Sequence, residues 1–145
     1  MNDFKKILIA TDDGPTSEIV AAKGFQLGKK LNAEIALVSV VDVTILVSEA
    51  GATSQELAEI IKNNYEKSQQ ILIEKIFGDF KVWLFVEEGN PYEAILRVAK
   101  EWEADLIVLG THGRTGLSHL LMGSVSEKVI RHSTIPLFIV PIKHD

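Results

Sequence analysis

Five short apolar runs recur along this chain, and stretches with helical spacing separate them. The runs are Lys5 to Ala10, Glu34 to Val41, Lys81 to Val86, Asp105 to Leu109 and Pro136 to Val140. Several lack the polar-apolar alternation of a half-exposed strand, so they are expected to be buried on both faces. Strands that alternate with helices form a parallel sheet covered by those helices. This pattern restricts the chain to an α/β architecture.

The helical stretches carry their own punctuation. Asp13-Gly14-Pro15 is a turn, and a helix is expected from Thr16 to Leu31. Val20, Gly24, Leu27 and Leu31 fall on one helical face. Residues 42–52 are ambiguous, because Val43 to Val47 can extend a strand or form an apolar loop. Thr53-x-x-Glu56 reads as a capping box that opens a long helix to Phe77, with Gly78 as its C-cap. Asn90-Pro91-Tyr92-Glu93 places Asn at N-cap, Pro at N1 and Glu at N3 of the next helix. Its buried face is Ile95, Val98, Ala99 and Trp102. A last helix is expected from Ser124 to His132, and Pro136 and Pro141 bracket the fifth strand.

Right-handed crossovers leave few layouts. The simplest is a doubly wound, Rossmann-like five-stranded parallel sheet in the order 3-2-1-4-5, with helices on both faces. At 145 residues the whole chain, 1–145, forms one domain. In that order the winding reverses between strands one and four. Ligands bind at such a switch point, beyond the C-terminal strand ends. Ala10-Thr11-Asp12 and the chain from Gly110 onward should therefore frame a site.

Composition narrows the functional classes. The chain has no cysteine, which removes disulfides and thiolate chemistry. No apolar run approaches the length of a membrane span, and no signal-peptide core follows the N-terminus. A cytoplasmic location is expected. The net charge is −5, with no basic stripe, which argues against nucleic acid as partner. An acidic chain that holds a polyphosphate must rely on local backbone donors.

Such donors are available after strand four. Gly110-Thr111-His112-Gly113-Arg114-Thr115-Gly116 is glycine-rich, and Gly123-Ser124-Val125-Ser126-Glu127 opens the last helix. Glycine lets backbone approach a ligand without a Cβ in the way. Successive N–H groups form anion-binding nests, and a helix start adds unpaired donors and a positive dipole end. A structural explanation competes with this one. Ser124-x-x-Glu127 is also a capping box, and the glycines can serve simply as turns. Their convergence on the switch point favours phosphate binding. Neither a Walker lysine motif nor a Gly-x-Gly-x-x-Gly after strand one is present.

The spacing Gly110-x2-Gly113-x9-Gly123-Ser124 resembles the ATP-binding signature of the universal stress protein family. The resemblance extends over nearly the whole chain. Lys5 to Asp12 is similar to the family's opening strand with its acidic end, and Glu88-Gly89-Asn90-Pro91 with Ile95 to its third strand-to-helix junction. Ala104 to Gly110 and Ile135 to Val140 are similar to its fourth and fifth strands. The resemblance implies ATP as ligand, with AMP or ADP as alternatives and Mg2+ accompanying the nucleotide. It places Asp12 on the ribose, with Ala10 and Thr11 on the adjoining wall. Val40 meets adenine through its backbone, and Gly110 packs near the ribose. Gly113 and its neighbours, with Gly123, Ser124, Val125 and Ser126, hold the phosphates. Asp13-Gly14-Pro15 departs from the commoner Gly-Ser or Phe-Ser, and Asp13 adds a negative charge beside the site.

Other candidates are weaker. His112, His119, His132 and His144 match no zinc spacing, and no Gly-x-Ser-x-Gly elbow supports a hydrolase. His112 and Arg114 lie where they can meet phosphates; a solvated loop residue is the favoured reading for His112 and an equal one for Arg114. Trp83 and Trp102 sit on apolar faces and read as core. Glu87, Glu88, Glu101 and Glu103 read as solvated faces or strand ends. No general base or arginine finger has a fixed place, which favours binding over turnover. The expected function is a nucleotide-binding regulatory, stress-response module. Its rivals are a slow ATPase or phosphotransferase and a partner-binding domain without ligand. A homodimer through strand five is also expected, because Leu137, Phe138, Ile139 and Val140 form an apolar sheet edge. Dimerisation through this strand is common in the family the chain resembles.

Overall fold

The computed structural model describes residues 3–12, 14–42, 54–112 and 122–142. Five strands run β1 (Lys6–Ala10), β2 (Glu34–Val41), β3 (Val82–Glu88), β4 (Leu106–Gly110) and β5 (Leu137–Val140). The helices are α1 (Thr16–Leu31), α2 (Ser54–Leu72), α3 (Pro91–Trp102) and α4 (Ser124–His132). The strands form one parallel sheet in the order β3-β2-β1-β4-β5, the simplest layout expected from the alternation of elements. The start of α2 at Thr53 and the apolar stretch Val43 to Val47 lie outside the described residues.

The central strands are buried on both faces, which explains their unbroken apolar character. Ile7, Ile9, Ile35, Leu37 and Val108 pack under α1 and α2. Leu8, Ala36, Val38, Ile107 and Leu109 pack under α3 and α4. Removing such side chains from water contributes roughly 1.5–3 kcal/mol each. Trp83 and Trp102, read in sequence as core, are only partly buried; their rings approach each other at 6.1 Å and pack against the second layer.

Three local expectations need correction. Leu31 is exposed rather than part of the buried face of α1. The face turns on Gly24 and Gly28 instead, because a Cβ there would fall 2.5 Å from Ile9 Cδ1 and 2.6 Å from Ile35 Cδ1. The absence of side chains lets α1 lie close on β1 and β2. The second helix is not α-helical to Phe77. It widens into a π-helical turn over Ile73–Phe77, which ends where Gly78, at φ 59°, donates its N–H to the Ile73 carbonyl. Finally, the N-cap of α4 is Gly123 and no side chain caps it. Ser124 is therefore the first helical residue, and Glu127 pairs with Arg131 instead of closing a capping box. At α3 the expectation stands: Asn90 Oδ1 accepts the Glu93 N–H and Pro91 follows at N1.

Candidate nucleotide site

The two neighbours of β1 outlast it at their C-terminal ends. The β1–β2 ladder ends with Ala10 opposite Val38, and the Thr11 N–H makes a last bond to the Val38 carbonyl. β2 continues to Val41, whose carbonyl accepts the Gly89 N–H from the β3 side. Backbone groups alternate sides along a strand. Those of Val40 therefore point to the side that β1 has left. β4 likewise runs on to Gly110, beyond the Ile9–Val108 pair. A crevice opens above the end of β1, between β2 and β4, where the winding reverses.

Asp12 enters this crevice in a fixed orientation. Its Oδ1 accepts the Gly14 N–H at 2.8 Å and lies 2.9 Å from Ser17 Oγ. The Asp12 N–H also donates to Ser17 Oγ at 3.0 Å. The start of α1 thus holds the carboxylate, and Oδ2 takes no part in these bonds. Sequence reasoning missed Ser17. Its signal was a hydroxyl residue five positions after an acidic strand end.

On the β4 side, Thr111 is the hub. Its N–H donates to the Val140 carbonyl, and its carbonyl accepts the Gly123 N–H at 2.7 Å. Thr111 Oγ1 accepts the Ile142 N–H at 2.9 Å. The loop that leaves β4 therefore returns to its own base at Gly123. One turn on, buried Ser126 donates its hydroxyl to the Gly110 carbonyl at 2.6 Å. These two bonds place the first turn of α4 at the end of β4. Gly123 has no side chain to offer the first-turn amides, so the N–H groups of Ser124, Val125 and Ser126 stay uncapped by it.

The remaining candidates can be placed as follows. Gly110 is buried, and a Cβ on it would meet Val20 Cγ2 at 3.0 Å and Ile142 Cγ1 at 3.2 Å. Packing under α1 thus accounts for the glycine at this position. His112 is buried at the end of β4, with Nδ1 3.2 Å from Thr111 Oγ1. Gly113 and Arg114 lie outside the described residues. Ala10, Thr11, Asp12, Val40, Gly110, His112, Gly123, Ser124, Val125 and Ser126 all sit at this one end of the sheet. An open concavity of about 540 Å³ lies at the other end, lined by Phe4, Leu31, Asn32 and Glu34 among others. It lies at the opposite end of the sheet from Gly110 and Gly123, and Asp3 and Glu34 in its lining offset Lys5.

The universal stress protein family model matches residues 3–141. The chain is 37% identical over 144 residues to universal stress protein MJ0531 of Methanocaldococcus jannaschii, covering 96% of this chain and 83% of that one. It is 33% identical to universal stress protein MJ0577 of the same organism, covering 97% of each. The solved structure of MJ0577 superposes with a TM-score of 0.83 at 30% identity, over 99% of this chain and 100% of that one. A universal stress protein solved in complex with cAMP shares the fold at a TM-score of 0.65 and 20% identity, over 97% and 98% of the two chains. Among the described residues no helix is long and apolar enough to cross a membrane. The match along residues 3–141, the parallel 3-2-1-4-5 sheet and the identity to MJ0531 lead to one conclusion: the chain belongs to the universal stress protein family.

Proposed function

We propose that the chain is an ATP-binding universal stress protein, a cytoplasmic regulatory module whose nucleotide lies across the crevice above β1. The observation that carries this reading is the first turn of α4, which its N-cap Gly123 leaves without a side-chain cap, tied to the end of β4 by the Gly123–Thr111 and Ser126–Gly110 bonds. It offers the amides of Ser124, Val125 and Ser126 and a positive dipole end, in an otherwise acidic chain. These amides would hold the phosphates. Gly113 and Arg114, which lie outside the described residues, are the further phosphate candidates, and Mg2+ would accompany the nucleotide and offset its charge. Because the Ser126 hydroxyl is committed to Gly110, its phosphate contact is the backbone N–H. The ribose hydroxyls meet Asp12, with Ala10 and Thr11 as the wall and Gly110 behind. The adenine edge meets the outward backbone of Val40. AMP and ADP fit the same base and ribose contacts with fewer phosphate bonds. The existence of a fold relative in complex with cAMP agrees with an adenine nucleotide as the ligand class.

Turnover is expected far below the common kcat of about 10 s⁻¹, for want of a Walker lysine and a committed base. Two copies pair through β5. Calorimetric titration of the purified, nucleotide-stripped protein with ATP tests the reading. Saturable one-site binding supports it, and no heat with ATP, ADP or AMP removes it.

A further inference from the structure

A line of buried polar side chains crosses the α1/α2 face of the sheet and ends at the crevice. Gln69 is 2% exposed and lies on the inner stripe of α2, with Tyr65 and Leu72. Its Nε2 donates to the Phe85 carbonyl at 3.0 Å and to Ser39 Oγ at 3.2 Å. Ser39, 1% exposed, sits one residue before Val40, and its Oγ lies 3.2 Å from Thr11 Oγ1. Thr11 directly follows β1 and precedes Asp12.

Donor chemistry gives this line a direction. A carbonyl can only accept, so the Gln69 atom against Phe85 must be the amide nitrogen. The same nitrogen faces Ser39 Oγ, which therefore accepts from it. Ser39 has one hydroxyl hydrogen, and among the described residues Thr11 Oγ1 is the acceptor within reach. Either hydroxyl can donate across the 3.2 Å contact. With Ser39 as the donor to Thr11, the hydrogen of Thr11 is left for an acceptor beyond this line, at the floor of the crevice.

We propose that Gln69 is a positioning residue for the nucleotide. Through Ser39 it holds the Thr11 hydroxyl as a hydrogen-bond donor toward an oxygen or ring nitrogen of the bound nucleoside. The inference rests on the nucleotide-binding reading above. It makes α2, far along the chain from the glycine loop, part of the recognition of the base and ribose. Without Gln69 the Ser39 hydroxyl can reverse, and Thr11 then donates inward to Ser39.

A double-mutant cycle separates this role from plain packing. Gln69→Met keeps the volume and Thr11→Val keeps the shape. Each single change is expected to weaken ATP about three- to tenfold, the worth of one neutral hydrogen bond. In the Thr11→Val background, Gln69→Met should add no further loss. Ser39→Ala, a small change that guards against misfolding of Gln69→Met, should depend on Thr11 in the same way. Independent, multiplying losses in both cycles overturn the positioning role, because a merely structural Gln69 would act equally in either background. If the wild type binds no adenine nucleotide, the nucleotide reading itself falls and takes this proposal with it. Binding with independent losses removes only the role of Gln69.

Discussion

Ser126 donates its hydroxyl to the Gly110 carbonyl across 2.6 Å, joining the first turn of α4 to the last residue of β4. Both residues are buried. Ser126→Ala leaves that carbonyl without its partner, which costs about 1–3 kcal/mol. Urea unfolding should show the loss as a lower midpoint with an unchanged slope. An unchanged midpoint would mean that the bond adds nothing to the placement of α4.

The second prediction concerns the phosphate end. Gly123 has an extended backbone, φ −72° and ψ 159°, which valine adopts readily. Gly123→Val should therefore fold while its branched Cβ blocks phosphate from the first-turn amides. ATP binding should fall below detection in calorimetry, with circular dichroism unchanged. Wild-type affinity in a folded Gly123→Val protein rules out this end of the site.

The proposed ribose contact of Asp12 and its structural bonds can be separated by substitution. Asp12→Ala removes the proposed ribose acceptor and also the Oδ1 acceptor for Gly14 and Ser17. ATP affinity should drop by roughly 1–3 kcal/mol, and some stability should go with it. Asp12→Asn can keep the bond from the Gly14 N–H, so it should lose affinity with less loss of stability. Discrimination against 2′-deoxy-ATP should shrink in both. An equal deoxy penalty in wild type and mutants would refute the ribose contact.

The dimer prediction follows from the ladder phase of β5. The carbonyls of Pro136 and Val140 accept from Ile107 of β4 and from Thr111, which follows it. By alternation, Leu137 and Ile139 turn their backbone groups to the outer edge. Phe138 is 38% exposed beside them. Such an edge satisfies itself by pairing with a second copy about a two-fold axis. Ile139→Pro removes an outward donor and no β4 bond, so it should give a folded monomer. Light scattering should report a dimer for the wild type and 16.0 kDa for the variant. A wild type that runs as a monomer, or a dimer indifferent to the proline, refutes pairing through β5.

Much of this molecule is written in local pattern. The unbroken apolar runs around Ile7 to Ile9 and Leu106 to Leu109 demanded burial on both faces. Strict alternation with helices then left a parallel, doubly wound sheet. Asn90-Pro91-Tyr92-Glu93 set the start of α3, because its cap bond spans only three residues. The switch point followed from strand order, and with it the end of the sheet that carries both Asp12 and Gly123.

Tertiary contact decided the rest. Leu31 continues the apolar stripe of α1 in sequence, yet the helix is seated by Gly24 and Gly28 against Ile9 and Ile35, and its last turn reaches solvent. Ser124 and Glu127 have capping-box spacing, but the Gly123 bond to Thr111 moves the helix start back by one residue. Ser39 is a polar residue inside an otherwise apolar run of β2, and Gln69 interrupts the inner stripe of α2. Each is visible as an anomaly, yet nothing local pairs them. Sequence determined this protein wherever the interaction lies within one turn or one strand. Where the partner lies 28 or 30 residues away, as for Ser39 with Thr11 and Gln69, only the packed sheet brings the donors to their acceptors.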